Sequence, residues 1–177
     1  GKKWYDVDFS EVIEERKRYY TESDSYRMLA GDVRDGNWLR EVTETKAAIV
    51  VMEGVSMYLH PEELCGLMED LSRHFEQVSF LMDCYTVMAA KMSKYKNPVN
   101  DVGVTKVYGI DDPLLLQRAG FLFVKEHDMT PETYIHELQG WEKKVFEKLY
   151  AGGFSKKLYR LFEYKKSITT VDDLAGK

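Results

Sequence analysis

Cysteine, proline and long apolar runs are all scarce in this sequence, and each scarcity removes a class of protein. The 177 residues include 2 cysteines and 4 prolines. Cys65 and Cys84 stand alone in apolar settings, which suits core thiols in a reducing compartment better than a disulfide. No apolar stretch approaches the length of a membrane span and no signal peptide is visible, so no membrane partner is expected and the cytoplasm is the expected location. Positive charge is not in excess either. The net charge is −5 and no basic stripe with interleaved aromatics stands out, which argues against a nucleic-acid partner. The 4 histidines, His60, His74, His127 and His136, have no ligand spacing among them, so no metal site is expected.

What is present is a globular composition, 44% hydrophobic and 31% charged, at a length that suits one domain. Strand and helix signals alternate. Trp4 to Val7 reads as a strand, Ser10 to Tyr20 as a helix, Tyr26 to Ala30 as a second strand, and Trp38 to Glu44 as a short helix. Ala47 to Met52 is the strongest strand, apolar throughout, as in a parallel sheet buried on both faces. Pro61 opens a helix whose Leu64, Leu67, Met68, Leu71 and Phe75 form one apolar face. Val78 to Met82 is the fourth strand, ending at Asp83. From about residue 85 to 109 the rhythm breaks, and this stretch reads as an insertion over a site. Asp112 to Ala119 is a short helix stopped by Gly120, followed by a strand from Phe121 to Val124. Thr130-Pro131 caps a long helix with Leu138, Trp141, Val145 and Leu149 toward the core, ended by Gly152-Gly153. A last strand runs from Leu158 to Tyr164. The expectation is an α/β sheet with helices on both faces, one domain over residues 1–168, and a loose tail over 169–177.

Three early strands end in carboxylates: Asp8 in YDVDFS, Asp32 in LAGDVRD and Glu53 in VVMEG. In an open parallel sheet these ends line one edge, and ligands bind in the crevice there. Such a set suits a ligand with hydroxyls, amino groups or positive charge, and Asp8 is placed to accept from a ribose diol. Local structure offers rival explanations. Asp8 would also serve as the cap of the helix near Ser10, and Asp32 and Asp35 fit Asx turns in GDVRDG. Glu53 has no such local role, because glutamate is a poor turn residue and Pro61 is too distant for a cap. Burying that carboxylate would be costly unless a ligand requires it.

The stretches YDVDFSEVIEERK, AGDVRDGNWL, VVMEGVSMYLHPEEL and VYGIDDP, in this order and spacing, resemble the leucine carboxyl methyltransferase family. They are most similar to its bacterial branch, the O-methyltransferases of the tetracenomycin polyketide type. The resemblance runs from Trp4 to about Lys165. It implies a Rossmann-like class I sheet, S-adenosylmethionine as cofactor and a small-molecule methyl acceptor, either a carboxylate or a hydroxyl. It further implies that Asp8 binds the cofactor ribose, that Asp32 and Val33 contact the adenine, and that Glu53 meets the cationic methionine end. Gly54 would let the backbone approach closely. Tyr58 falls at the tyrosine position near the transferred methyl, and His60 or Asp83 are the nearest bases for a hydroxyl acceptor.

The family also carries a first strand and a Gly-rich loop upstream of the Asp8 motif, whereas this sequence opens at Gly1-Lys2-Lys3-Trp4. The expectation is therefore a sheet lacking its first strand, between the strands ending in Asp8 and Glu53. Unpaired edges of that kind are seldom tolerated. The chain would be a fragment of a longer methyltransferase, or a partner chain or homodimer would fill the gap, or the sheet would rearrange, for instance by pairing the two edges directly. Two other functions remain open. One is an inactive remnant or a subunit that works only with a partner. The other is a serine hydrolase using Ser56, Asp83 and His127, although Tyr58 replaces the second glycine of a nucleophile elbow.

Overall fold

The computed structural model describes residues 1–93, 106–128, 137, 139–141, 143–144 and 157–166, and strands and helices alternate along them. The expected polar turn at Asn97 to Asp101, the Thr130-Pro131 cap, Leu138, Val145, Leu149, Gly152-Gly153 and the tail lie outside the described residues. The strands are β1 (Trp4–Asp8), β2 (Tyr26–Ala30), β3 (Ala47–Met52), β4 (Gln77–Tyr85), β5 (Phe121–His127) and β6 (Tyr159–Lys166). The helices are α1 (Ser10–Arg16), α2 (Pro61–His74) and α3 (Val87–Ser93), with 3-10 turns at Asn37–Glu41, Ser56–Tyr58 and Pro113–Ala119.

The expected α1 is too long, since its last four positions lie outside the helix. The helix expected from Trp38 to Glu44 is a tighter 3-10 turn. Strand β4 runs through Asp83 to Tyr85, so Asp83 sits inside the ladder, paired across to Leu161, and not past the strand end.

Two sheets form where one was expected. Strands β1 and β2 pair in parallel, and the second sheet has the order β3-β4-β6-β5. In it β3 and β4 are parallel, while β6 runs antiparallel to both β4 and β5. Among the described residues no ladder joins β1 to β3, so the direct pairing of those two edges does not occur.

The core lies on one face of the larger sheet. Pro61 fixes the start of α2, and its buried Leu64, Cys65, Leu67, Met68 and Leu71 meet Val78, Phe80, Met82, Phe162 and Tyr164 in one cluster. Each such side chain contributes roughly 1.5–3 kcal/mol by leaving water. Lys166 Nζ donates to the carbonyls of Ser72 and Phe75 at 2.7 and 2.8 Å, satisfying the end of α2. Both cysteines are buried free thiols, and burial pushes Cys84 up to about 12.

The opposite face is different. Along β3, Ala48, Val50 and Met52 turn inward, whereas Ile49 and Val51 are 76% and 62% exposed. The expectation that β3 is buried on both faces is thus wrong among the described residues. Trp141, expected to face the core, is also exposed.

Candidate functional site

Two polar links set the sheets side by side in the same sense. Tyr5 and Lys3, at the start of β1, both hold Glu44, which leads into β3. At the other end, Arg34 after β2 pairs with Glu63 in the first turn of α2, which follows β3, at 3.7 Å. The carboxyl ends of β1, β2 and β3 therefore share one edge, and Asp8, Asp32 and Glu53 all lie along it.

Asp8 is half-buried and accepts the Phe9 N–H at 2.8 Å. It does not cap α1, whose N-cap is Phe9 without a side-chain hydrogen bond. Apart from that backbone contact, no donor reaches the Asp8 carboxylate among the described residues. Asp32 is engaged locally. Its Oδ1 accepts the Arg34 N–H at 2.9 Å, and Arg34 Nη2 meets Oδ2 at 2.5 Å. Hydrogen bonding from Arg34 holds the Asp32 carboxyl below its ordinary range. The turn role weighed for Asp32 is therefore occupied by its own loop, while Val33 packs on the edge of the core. Asp35 likewise closes an Asx turn, accepting the Asn37 N–H at 2.9 Å.

Glu53 is exposed, not buried, and no donor reaches its carboxylate among the described residues. Gly54 follows at φ +70, a left-handed conformation that favours glycine, and a Cβ there would meet nothing within 4 Å. The Gly54 N–H is bound instead by Asp83, at 3.0 and 2.8 Å to its two oxygens. Asp83 is 2% exposed and also accepts from the Tyr159 hydroxyl, while Ser56 donates to its carbonyl. Burial, and then the bond to Asp83, push the Tyr159 phenol well above the usual tyrosine range.

Tyrosines surround this corner. Tyr85 packs edge-on against Tyr159, with ring centroids 5.7 Å apart. Tyr58, half-buried on its 3-10 turn, has a phenol raised by burial and by Tyr85. His60 caps α2: Nδ1 accepts the Glu62 N–H at 3.3 Å, and the Glu63 carboxylate accepts the His60 N–H at 2.7 Å. A ring whose Nδ1 accepts carries its proton on Nε2. The end of the expected insertion lies here as well. The Tyr108 N–H donates to Met57 and the Ile110 N–H to Tyr85, both at 2.8 Å, and Tyr108 meets the His60 ring edge-on.

The serine-hydrolase arrangement does not assemble. Ser56 is 3% exposed with its hydroxyl spent on the Asp83 carbonyl, and His127 bonds Glu163 at 2.8 Å. Leu161 of β6 lies between Asp83 and His127 in register, two strands, or roughly 9–10 Å, apart. Sequence reasoning missed Tyr159 and Tyr85 as members of the corner. Tyr159 is 76 positions from Asp83, and no local pattern marks it. An open cleft on the surface, about 490 Å³ lined by Val12, Arg16, Tyr19 and Tyr20 among others, takes in none of the strand-end carboxylates.

No family model matches the chain. It is 30% identical over 144 residues to the tetracenomycin polyketide synthesis O-methyltransferase TcmP of Streptomyces glaucescens, covering 80% of this chain and 53% of that protein. It is 25% identical over 129 residues to the S-adenosyl-L-methionine-dependent methyltransferase dpfgK of Gibberella zeae, covering 66% of this chain and 43% of that one. The chain thus spans about half the length of the curated relatives it matches. Among solved structures it resembles an S-adenosylmethionine dependent methyltransferase from Mesorhizobium loti, with a TM-score of 0.61 at 12% identity, over 94% of this chain and 81% of that one. The fold is that of a class I S-adenosylmethionine-dependent methyltransferase, as its motifs imply.

Proposed function

We propose that this chain carries the cofactor side of an S-adenosylmethionine-dependent O-methyltransferase whose acceptor is a small-molecule carboxylate or hydroxyl. The observation that carries this reading is the shared edge on which Asp8 and Glu53 present carboxylates that no side chain pairs among the described residues. Similarity to the two curated methyltransferases supports it.

The donor set fits such a cofactor. Asp8, which among the described residues holds one backbone N–H, has acceptor capacity left for a ribose diol. Glu53, exposed beside an open Gly54 turn, has room to meet a cationic group. Asp32 would contribute through its loop, with Val33 as the apolar contact to the adenine, because Arg34 holds its carboxylate. When bound, the cofactor supplies a methyl on a sulfonium, already an excellent leaving group, so the protein mainly aligns and desolvates. Tyr58 would line the acceptor side with Tyr85. A carboxylate acceptor needs no base. For a hydroxyl acceptor His60 is a poorer base than its position suggests, since its accepting nitrogen caps α2, and Asp83 is engaged by Gly54 and Tyr159.

Titration calorimetry with S-adenosylmethionine and S-adenosylhomocysteine tests the reading. Saturable binding of both is expected, weakened by Asp8→Asn and by Glu53→Gln. Binding that neither substitution changes would overturn the site.

A subunit that needs a second strand donor, either another copy or a partner chain, is the second reading. The absence of a ladder between β1 and β3 among the described residues favours it. Light scattering on the 177-residue chain would separate a dimer from a monomer.

A further inference from the structure

Asp83 is the only buried acid among the described residues, and every donor on its carboxylate is neutral: the Gly54 N–H and the Tyr159 hydroxyl. A carboxylate withdrawn from water in this way depends on hydrogen bonds to offset its lost hydration, and these donors supply them. Those bonds join three separate parts of the chain, the turn after β3, the last part of β4 and the first residue of β6. On the side where a Gly54 Cβ would point nothing lies within 4 Å, and beyond the glycine the buried Ser56 donates to the Asp83 carbonyl. Met52, buried at 7% exposure, anchors the other side. Glu53 stands between these two anchors.

We propose that Tyr159 and Asp83 are a positioning pair that fixes the Gly54 turn and so aims Glu53 at the cationic part of the ligand. The inference rests on the methyltransferase reading above and adds two residues that act through another. The chain of contact is short. Tyr159 orients the Asp83 carboxylate, Asp83 holds the Gly54 N–H with both oxygens, and Gly54 sets the direction of the preceding residue. The high-lying phenol keeps Tyr159 a donor throughout the physiological range.

The test is a double-substitution cycle read by S-adenosylmethionine affinity, with amide exchange at Gly54 measured in the unliganded chain. Tyr159→Phe is expected to weaken binding about tenfold, the loss of one bond to a charged group. In a Glu53→Gln background it should add no more than about twofold, because the two act through one contact. Without ligand, Tyr159→Phe should speed exchange of the Gly54 amide about tenfold while the Met82 amide in β4 is unchanged. Losses that multiply, or a Gly54 amide that exchanges as in the unaltered chain, would overturn the pair. If the unaltered chain binds no S-adenosylmethionine, the methyltransferase reading fails and Gly54 exchange still decides the pair. Should Tyr159→Phe not fold, Asp83→Asn replaces it in the exchange measurement, with the same faster exchange expected and unchanged exchange again overturning the pair.

Discussion

Tyr5 donates its hydroxyl to Glu44 at 2.6 Å, and Lys3 meets the same carboxylate at 2.8 Å, tying the start of β1 to the approach to β3. Hydrogen bonds from Lys3 and Tyr5 hold Glu44 down at about 2, against an ordinary value of 4.5. A depressed carboxyl means that the unfolded chain binds the extra proton first, so stability rises with pH across that window. The contribution is complete above 4.5 and is lost as pH falls toward 2. Glu44→Gln should flatten the pH dependence of urea unfolding in that window. An unchanged slope would show that this contact does not persist in solution.

Glu53→Gln should leave the melting temperature nearly unchanged. Because Glu53 is exposed, the substitution relieves no buried charge and should stay within about ±0.5 kcal/mol. The affinity for S-adenosylmethionine should nevertheless fall about tenfold, as for loss of one charge-assisted contact. Thermal unfolding beside calorimetry reads both. A large loss of stability would make Glu53 a structural anchor.

Asp8→Asn separates ligand binding from local structure. Since Asp8 makes no capping bond to α1, stability should hold. Losing a carboxylate that accepts from a diol should cost about 1.5–3 kcal/mol of binding, roughly 10- to 150-fold. Unchanged affinity in calorimetry would remove Asp8 from the site.

Two glycine substitutions should cost stability for different reasons. At Gly54 a methyl finds open space, so Gly54→Ala should cost about 1–2 kcal/mol through the left-handed backbone alone. At Gly109 a Cβ would lie 2.3 Å from the Thr86 carbonyl oxygen, a backbone atom that cannot step aside. Gly109→Ala should therefore cost more than Gly54→Ala in denaturant unfolding and should loosen the start of α3. The reverse order would contradict the close approach of residues 106–110 to β4.

What could be read from the sequence was what neighbours in the chain determine. Pro61, the alternation of strands and helices, and the carboxylates closing β1 and β3 are local signals, and they lie where the sequence placed them. Exposure was not local. Ile49 and Val51 belong to an apolar run that reads the same whether or not a neighbour covers it, so the expectation of burial failed on one face. Glu53 followed the same error, because its supposed burial derived from that of β3. Asp32 showed the opposite ambiguity: its turn and ligand roles use the same residue types, and only the position of Arg34 distinguishes them. The pairing of Asp83 with Tyr159 was invisible, since contact order along the chain says nothing of which strand returns beside β4.

That return has a consequence for synthesis. Strand β6 comes after β5 in the chain yet lies between β4 and β5 in the sheet. During translation, at roughly 5–20 residues per second, β5 emerges before β6, its partner among the described residues. Strand β6 must then enter between β4 and β5, forming both ladders together. Until it arrives, Phe123 lacks the Phe162 and Tyr164 rings it packs against, and the end of α2 lacks the Lys166 ammonium that satisfies its carbonyls. A ribosome-bound chain stopped short of Tyr159 would have both ladders of β6 still to form, and adding the eight residues of that strand would close them.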